Sequence, residues 1–211
     1  MAIEYNSSAS SGFATTNATS ITWSHSCSGT DRILIVGCLD SSSSTTSATY
    51  NGVSMTKIDE LLITGNESIY LFYLLNPPEG TYNCVVSGGS AKRGGMSTSF
   101  TGVKQSSQPN SSNKGVSSST KSLTISTTTT DDNCWLVGIG YSGNELLAGT
   151  NTTLRGSSTK YCRMLDTNSQ QTPAGSKSMN ITQGTASFSG MILAAISPSI
   201  KESNSSFLSL M

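Results

Sequence analysis

Apolar and polar positions between Ala48 and Ser87 predict three β-strands together with their turns. Asn51-Gly52 stands between apolar residues, which is the strongest short-range signal for a β-hairpin. The apolar run Ser68–Leu75 is too short for a spanning helix and suits a buried strand. Pro77-Pro78 ends that run because proline cannot donate to a strand ladder, and Thr81–Val86 alternates back into the sheet. This stretch therefore predicts an all-β protein.

Two continuous apolar runs, at 31–38 and 132–139, match each other in pattern and each follow a polar turn. Continuous apolarity predicts burial on both faces of a strand, as in the central strand of packed sheets. We interpret the two runs as equivalent inner strands in two halves of one sandwich, with the polar stretch Gln105–Thr120 as a surface excursion between them. About a dozen antiparallel strands are expected, and the clear ones are Ser20–Ser26, Arg32–Leu39, Met55–Ile63, Ser68–Leu75, Thr81–Val86, Met96–Val103, Lys121–Thr127, Asn133–Tyr141, Tyr161–Asp166, Lys177–Ile181 and Ser187–Ile196.

Composition supports a single domain with a hydroxyl-rich solvent face. About a third of the 211 residues are Ser or Thr, and only 11% are charged, yet the apolar residues gather into strand-length runs, unlike those of a disordered chain. One β-sandwich domain is expected over residues 1–198, because sandwiches of this size are often undivided. Residues 199–211 form a tail whose apolar end is expected either to be disordered or to dock on a neighbouring subunit. Its docking residues would be Phe207, Leu208, Leu210 and Met211.

Charge and hydropathy narrow the expected partners. The formal net charge is zero and no basic stripe is present, so no nucleic-acid partner is expected. No apolar run reaches the roughly 18 residues of a spanning helix, and the first residues lack the pattern of a secretory signal. We therefore expect no membrane association. We expect the chain to be synthesised in a cytoplasm, which is that of a host cell if the protein is viral.

Cysteine spacing and the acidic and basic residues predict neither catalysis nor a cofactor. The chain has five cysteines in no short motif, which argues against a zinc site and favours small buried side chains, although disulfides stay open; they are Cys27, Cys38, Cys84, Cys134 and Cys162. His25 is the single histidine and lacks a partner motif for nucleophilic catalysis. The adjacent acids Asp59-Glu60 and Asp131-Asp132 would point to opposite faces of a strand, and a calcium site at the second pair is only a minor alternative. We predict no catalytic residue, no cofactor and no metal.

Two segments of the chain together resemble a pattern of jelly-roll, concanavalin A-like domains. The first is the hairpin Thr49-Tyr50-Asn51-Gly52-Val53-Ser54-Met55-Thr56, and the second is Leu71-Phe72-Tyr73-Leu74-Leu75-Asn76-Pro77-Pro78-Glu79-Gly80-Thr81. Such domains occur in phage virion proteins and in some bacterial surface proteins. The resemblance extends less specifically over Ser20 to Ser197. It implies a two-sheet jelly roll and, more weakly, display on a virion, and it carries over no catalytic residue.

Two functions follow as expectations. The first is a non-enzymatic virion structural protein, a decoration, minor coat or tail component of a phage. It would be a homo-oligomer that acts through contacts with other virion proteins. The alternative is a carbohydrate-binding adhesion module that recognises a surface glycan on the host. Its stacking platforms would be exposed aromatic side chains. The candidates by residue type are Trp23, Tyr50, Tyr70, Tyr73, Tyr82 and Tyr141, of which Trp23, Tyr50, Tyr70 and Tyr141 are the four predicted.

Overall fold

The computed structural model describes residues 1–200, and these form an all-β, antiparallel structure without a helix. Fifteen strands occur within those residues, numbered in chain order. They are β1 (Glu4–Phe13), β2 (Ala18–Cys27), β3 (Ile33–Asp40), β4 (Thr45–Tyr50), β5 (Val53–Ser54), β6 (Thr56–Thr64), β7 (Glu67–Leu75), β8 (Gly80–Ala91), β9 (Arg93–Thr101), β10 (Ser111–Thr129), β11 (Trp135–Ser142), β12 (Leu147–Ala148), β13 (Thr153–Thr159), β14 (Cys162–Asp166) and β15 (Gly175–Ile196). The all-β class predicted from the sequence is confirmed.

These strands form three hydrogen-bonded sheets, whereas the family resemblance implies two. The central sheet has the order β1-β9-β3-β7-β6. The small sheet, β2-β8-β4-β5, packs on one of its faces, and the large sheet, β10-β15-β11-β14-β13 with β12 attached to β15, packs on the other. The arrangement is a β-sandwich with an additional layer, and the jelly-roll connectivity stays a prediction.

The strand β3 shows why the central sheet must be covered on both sides. All eight of its residues are buried. Ile33 and Ile35 face the large sheet, while Leu34 and Val36 face the small sheet, because successive side chains in a strand point to opposite faces. Burial on both faces, predicted from the continuous apolar run, is confirmed here.

The strand β11 repeats this arrangement in the large sheet. Val137 and Ile139 pack toward the central sheet, and Leu136 packs into a third apolar cluster on the opposite face. Residues 135–140 are all buried. A side chain at Gly37 of β3 would press on Ile139, so the two runs that match in sequence lie against each other across the sandwich.

The long antiparallel strand pair β10 and β15 covers the third cluster by folding back on the large sheet. Its ladder runs from Ser111 paired with Ala195 to Thr129 paired with Gly175, and the register shifts near Thr120. Ile125 from the distal half returns over the proximal half, where a side chain at Gly115 would collide with its Cδ1 atom. The fold-back lets one strand pair bury apolar residues on both sides of a bend.

The same strand pair corrects two expectations from the sequence. The stretch Gln105–Thr120, expected as a surface excursion, contains the proximal part of β10, which pairs regularly with β15. The expected strands Lys177–Ile181 and Ser187–Ile196 are parts of the single strand β15. The polar sequence of β10 shows no apolar alternation from which a strand could be predicted, because an exposed edge strand does not need one.

Candidate functional site

Three of the four predicted glycan-stacking aromatics lie in the core, so the prediction is wrong for them. Trp23, Tyr50 and Tyr70 are 6%, 0% and 3% exposed. The Trp23 indole donates to Ser97 Oγ at 2.9 Å, and the Tyr50 hydroxyl donates to the Gly80 carbonyl at 3.0 Å. Trp23 and Tyr50 of the small sheet and Tyr70 of the central sheet lie between these two sheets, and a covered ring cannot stack on a sugar.

Tyr141, the fourth candidate, is half-buried and lies apart from the other three, at the contact between the large and central sheets. Its hydroxyl donates to Glu67 Oε2 at 2.8 Å. Burial, followed by this hydrogen bond and the charge of Glu67, raises the pKa of Tyr141. This hydrogen bond therefore links β11 to the start of β7.

His25 is a buried strand residue with serine hydroxyls at both ring nitrogens. Its Nδ1 lies 2.8 Å from Ser97 Oγ, and its Nε2 lies 3.0 Å from Ser99 Oγ and 3.1 Å from Ser7 Oγ. Burial lowers the pKa of His25 to about 4, so the ring is neutral near pH 7. With 1% of the residue exposed, this cluster connects β1, β2 and β9 rather than facing a ligand.

Arg93 and Asp40, both 0% exposed, form a buried ion pair that no pattern in the sequence predicts. Arg93 Nε lies 3.0 Å from Asp40 Oδ2, and Thr45 Oγ1 donates to the same oxygen at 2.6 Å. Burial alone would raise the pKa of Asp40, but the hydrogen bonds from Thr45 and the Ser42 amide, together with Arg93, lower it below its usual value. Arg93 also donates to the Ala18 carbonyl at 2.7 Å, so the pair ties β2 to the central sheet.

A second ion pair lies where the large sheet meets β1. Arg155 Nε is 2.6 Å from Oδ2 of the fully buried Asp166. The same guanidinium carbon stands 3.9 Å from the ring centroid of Tyr5, a distance typical of a cation–π contact. Arg155 therefore connects β13, β14 and β1.

All five cysteines are buried and free, which confirms their interpretation as small apolar side chains. Burial raises the pKa of the Cys38 and Cys84 thiols to about 12, so both are protonated at neutral pH. Among residues 1–200, no group of three or more His, Cys, Asp or Glu side chains is placed to hold a metal ion. That stretch also contains no helix with the length and hydropathy needed to cross a membrane.

A cleft of about 690 Å³ lies beside the acid pair Asp131-Asp132 and Ile200. Its acids already have partners within the fold. Asp131 accepts from Ser197 Oγ at 2.7 Å, and Asp132 accepts from the Ala174 amide at 2.6 Å. Both carboxylates thus hold the loop before β11 in place, which is the role expected of turn acids.

A smaller groove, of about 420 Å³, opens at the tip of the β4–β5 hairpin and is called here the Tyr82 groove. Tyr82 is 36% exposed, and its ring meets Tyr50 edge to face at a centroid distance of 5.8 Å. The hairpin turn has positive φ at Asn51 and Gly52, as the sequence predicts. The lining residues are Thr49, Asn51, Gly52, Thr81, Tyr82, Asn83 and Val85.

The two rims of the sandwich, where the edge strands of the three sheets lie, differ in how well they are closed. At the first, called the closed rim, β1 lies against β2 and β13. Ser7 Oγ of β1 donates to the Ser26 carbonyl of β2 at 2.6 Å, and Arg155 of β13 covers Tyr5 of β1. Side-chain contacts thus join all three edge strands at this rim.

At the second, called the open rim, β6 lies against β4 and β10, and the edge strands are β5, β6 and β10. Each carries an exposed apolar side chain: Val53 is 44% exposed, Leu62 56% and Val116 48%. The ion pair between Lys114 Nζ and Asp59 Oδ1, at 2.7 Å, connects β10 to β6. The open rim therefore combines sheet edges with apolar side chains.

The predicted docking tail (Phe207, Leu208, Leu210 and Met211) lies outside the described residues. Comparison of the chain with protein-family models, with curated proteins and with solved structures finds no match.

Proposed function

We propose that this protein is a non-enzymatic structural component of a virus particle, displayed on a phage capsid or tail and acting through contacts between copies of itself and with other virion proteins. The residues that carry the family resemblance support this proposal. They form the β4–β5 hairpin and the β7–β8 connection of the all-β sandwich. The polar clusters described above hold strands together, and the proposal assigns none of them a catalytic role.

The open rim is the observation that carries the proposal. An uncovered sheet edge presents unpaired backbone groups and invites pairing with another strand. Here the edges β5, β6 and β10 also expose Val53, Leu62 and Val116. In an assembly, a neighbouring subunit would cover both the backbone edge and these side chains. The rim is therefore the surface from which we expect subunit contacts to be made.

Charge at the open rim favours a second copy of the chain as the occupant. Lys57 pairs with Glu60 along β6, and Lys114 of β10 pairs with Asp59. These residues give the rim two positive and two negative groups, all partly exposed. A two-fold contact brings a patch against its own copy, and an alternating patch of this kind can place each lysine opposite a carboxylate of the partner.

The experiment compares two leucines of similar exposure in the native protein expressed with its particles. Leu62→Lys places a charge on the open rim, whereas Leu147→Lys changes a leucine that is 46% exposed on β12, away from the rim. We expect the unaltered chain to co-sediment with particles at many copies, Leu62→Lys to lose this association, and Leu147→Lys to keep it. Far-UV circular dichroism checks that both variants fold.

Two results would contradict the proposal. One is a free monomer, with the unaltered chain absent from the particle fraction. The other is equal association of the two leucine variants, which would exclude the open rim as the contact. A chain shortened to residues 1–200 tests the docking tail separately, and loss of association in that chain alone would assign the contact to the tail.

A further inference from the structure

We propose that the Asp59–Lys114 pair closes the backbone edges at the centre of the open rim, so that a second copy of the chain contacts this rim through side chains and not by strand pairing. The second copy is the partner named in the proposed function, on which this inference rests. An added strand binds to backbone groups that point away from the neighbouring strands of a sheet. At the centre of β6 and β10, side chains of the rim already bind these groups.

Both backbone groups of Glu60 in β6 have partners in the ion pair. The Glu60 amide donates to Asp59 Oδ1 at 2.8 Å, and the Glu60 carbonyl accepts from Lys114 Nζ at 2.7 Å. Lys114 Nζ also lies 2.7 Å from Asp59 Oδ1. The N–H and C=O of one residue in an antiparallel strand point to the same side, so both groups of Glu60 face away from β7. The pair therefore occupies what a further strand would need at this position.

The strand β10 is capped by its own side chains. The Lys114 amide donates to Asn113 Oδ1 at 2.9 Å, and the Asn113 side-chain amide donates to the Ser126 carbonyl at 2.7 Å. Register shifts interrupt the ladders nearby, in β6 just before Asp59 and in β10 after Ser117. Bulges and charged side chains are devices that keep sheet edges from pairing with other chains. The centre of the open rim carries both.

Exposed apolar side chains flank this capped centre. Leu62 lies two residues after Glu60, and Val116 lies two residues after Lys114, so each stands on the same face of its strand as the capped residue. With the backbone groups occupied, a second copy can bind by packing on these side chains and by pairing with the rim charges. A two-fold contact of this kind closes on itself, whereas strand pairing at an open edge can continue from copy to copy.

The test measures the size of the purified full chain and its variants by sedimentation velocity over a range of concentrations. Asp59→Ala removes the acceptor of the Glu60 amide, and Asn113→Ala removes the acceptor of the Lys114 amide. Asp59→Asn is the matched variant, because its Oδ1 can still accept from the Glu60 amide. Glu79→Ala controls for the loss of one negative charge, since Glu79 lies in the β7–β8 connection with a side chain that is 65% exposed.

We expect the weight-average mass of Asp59→Ala to rise severalfold above that of the unaltered chain and to grow further with concentration. Amide hydrogen exchange should slow in β6 of these assemblies, because new strand pairing protects its backbone. Asn113→Ala should also grow, with the slower exchange in β10. Asp59→Asn and Glu79→Ala should keep the size of the unaltered chain.

Two results would overturn the inference. One is an unchanged size of both Asp59→Ala and Asn113→Ala, with far-UV circular dichroism showing that they fold. The other is growth of Glu79→Ala to the same extent, because the loss of charge alone would then explain it. Both are measured on the purified chain, whereas the proposed function is tested by association with particles, so the two fail separately.

Discussion

The closed and open rims are built from the same kind of edge strand, yet they differ in the side-chain contacts that join those strands. At the closed rim, β1 is joined to β2 by hydrogen bonds of Ser7 and to β13 by the Arg155–Tyr5 contact. At the open rim, the Lys114–Asp59 pair connects two of the edges, and Leu62 stays exposed. The comparison indicates that stability is concentrated at one rim, while the other keeps the apolar edges that suit contact with a neighbour.

The largest expected effect comes from removing the guanidinium at the closed rim. Arg155→Ala leaves Asp166 fully buried with an unpaired charge and removes the cation–π contact to Tyr5. Breaking a buried pair from one side costs about 3–5 kcal/mol. Since Arg155 is partly exposed, the lower end of that range is expected. Urea denaturation measures the change in unfolding free energy, and a loss below 1 kcal/mol would show that this rim is not the stabilised one.

A pH titration tests the His25 cluster behind the closed rim without any mutation. The pKa of His25 is lowered by burial to about 4 in the folded chain, against about 6.5 when unfolded. Between these values the unfolded state binds more protons, so stability falls as the pH drops from about 6.5 to 4 and is fully present above 6.5. The expected loss is about 3 kcal/mol.

Urea midpoints measured across this pH range check the expectation. A His25→Asn variant serves as the control, because it should lack this slope even if it is less stable overall. A flat profile for the unaltered chain between pH 6.5 and 4 would contradict the expected burial of a neutral histidine.

Packing behind the closed rim is tested at a glycine of β9. A Cβ at Gly95 would collide with the indole ring of Trp23, whereas one at Gly184 meets nothing within 4 Å. Gly95→Ala should therefore cost about 1–3 kcal/mol by overpacking, and Gly184→Ala should change stability by no more than about 0.5 kcal/mol. Thermal unfolding of the two variants side by side measures the difference, and equal melting temperatures would argue against the close approach.

The smallest effect is expected from the ion pair of the open rim. Lys114 and Asp59 have side chains that are 41% and 29% exposed, and ion pairs this exposed contribute about 0–1 kcal/mol. Lys114→Ala should thus change the unfolding free energy by less than 1 kcal/mol, in contrast to Arg155→Ala. A loss as large as that of Arg155→Ala would remove the distinction between the rims.

Strands with strong apolar signals could be predicted from the sequence, and the others could not. The runs that became β3 and β11 were predicted as strands buried on both faces, because uninterrupted apolarity is a local property of the chain. β1 was missed, and so was the Ser111–Ser117 part of β10. Both are edge strands rich in serine, and their pairing depends on partners 72 to 97 residues away.

The exposure of the candidate aromatics could not be predicted from the sequence. Exposed aromatics with nearby asparagines are the expected form of a glycan site, whereas Trp23, Tyr50 and Tyr70 are buried and Tyr82 is partly exposed. These four side chains share the same strand-like contexts in the sequence. Their difference in exposure arises because Trp23, Tyr50 and Tyr70 are enclosed between the small and central sheets, whereas Tyr82 lies near the end of β8.

The all-β class, the hairpin turn at Asn51-Gly52 and the inner strands can be predicted from the local sequence, since turn chemistry and apolar runs act over a few residues. Tertiary packing is needed to explain why three sheets stack instead of two, why Arg93 and Asp40 meet in the core, and why one rim is closed while the other is open. These features join residues far apart in the chain, and their energies depend on burial that exists only after the sheets have packed.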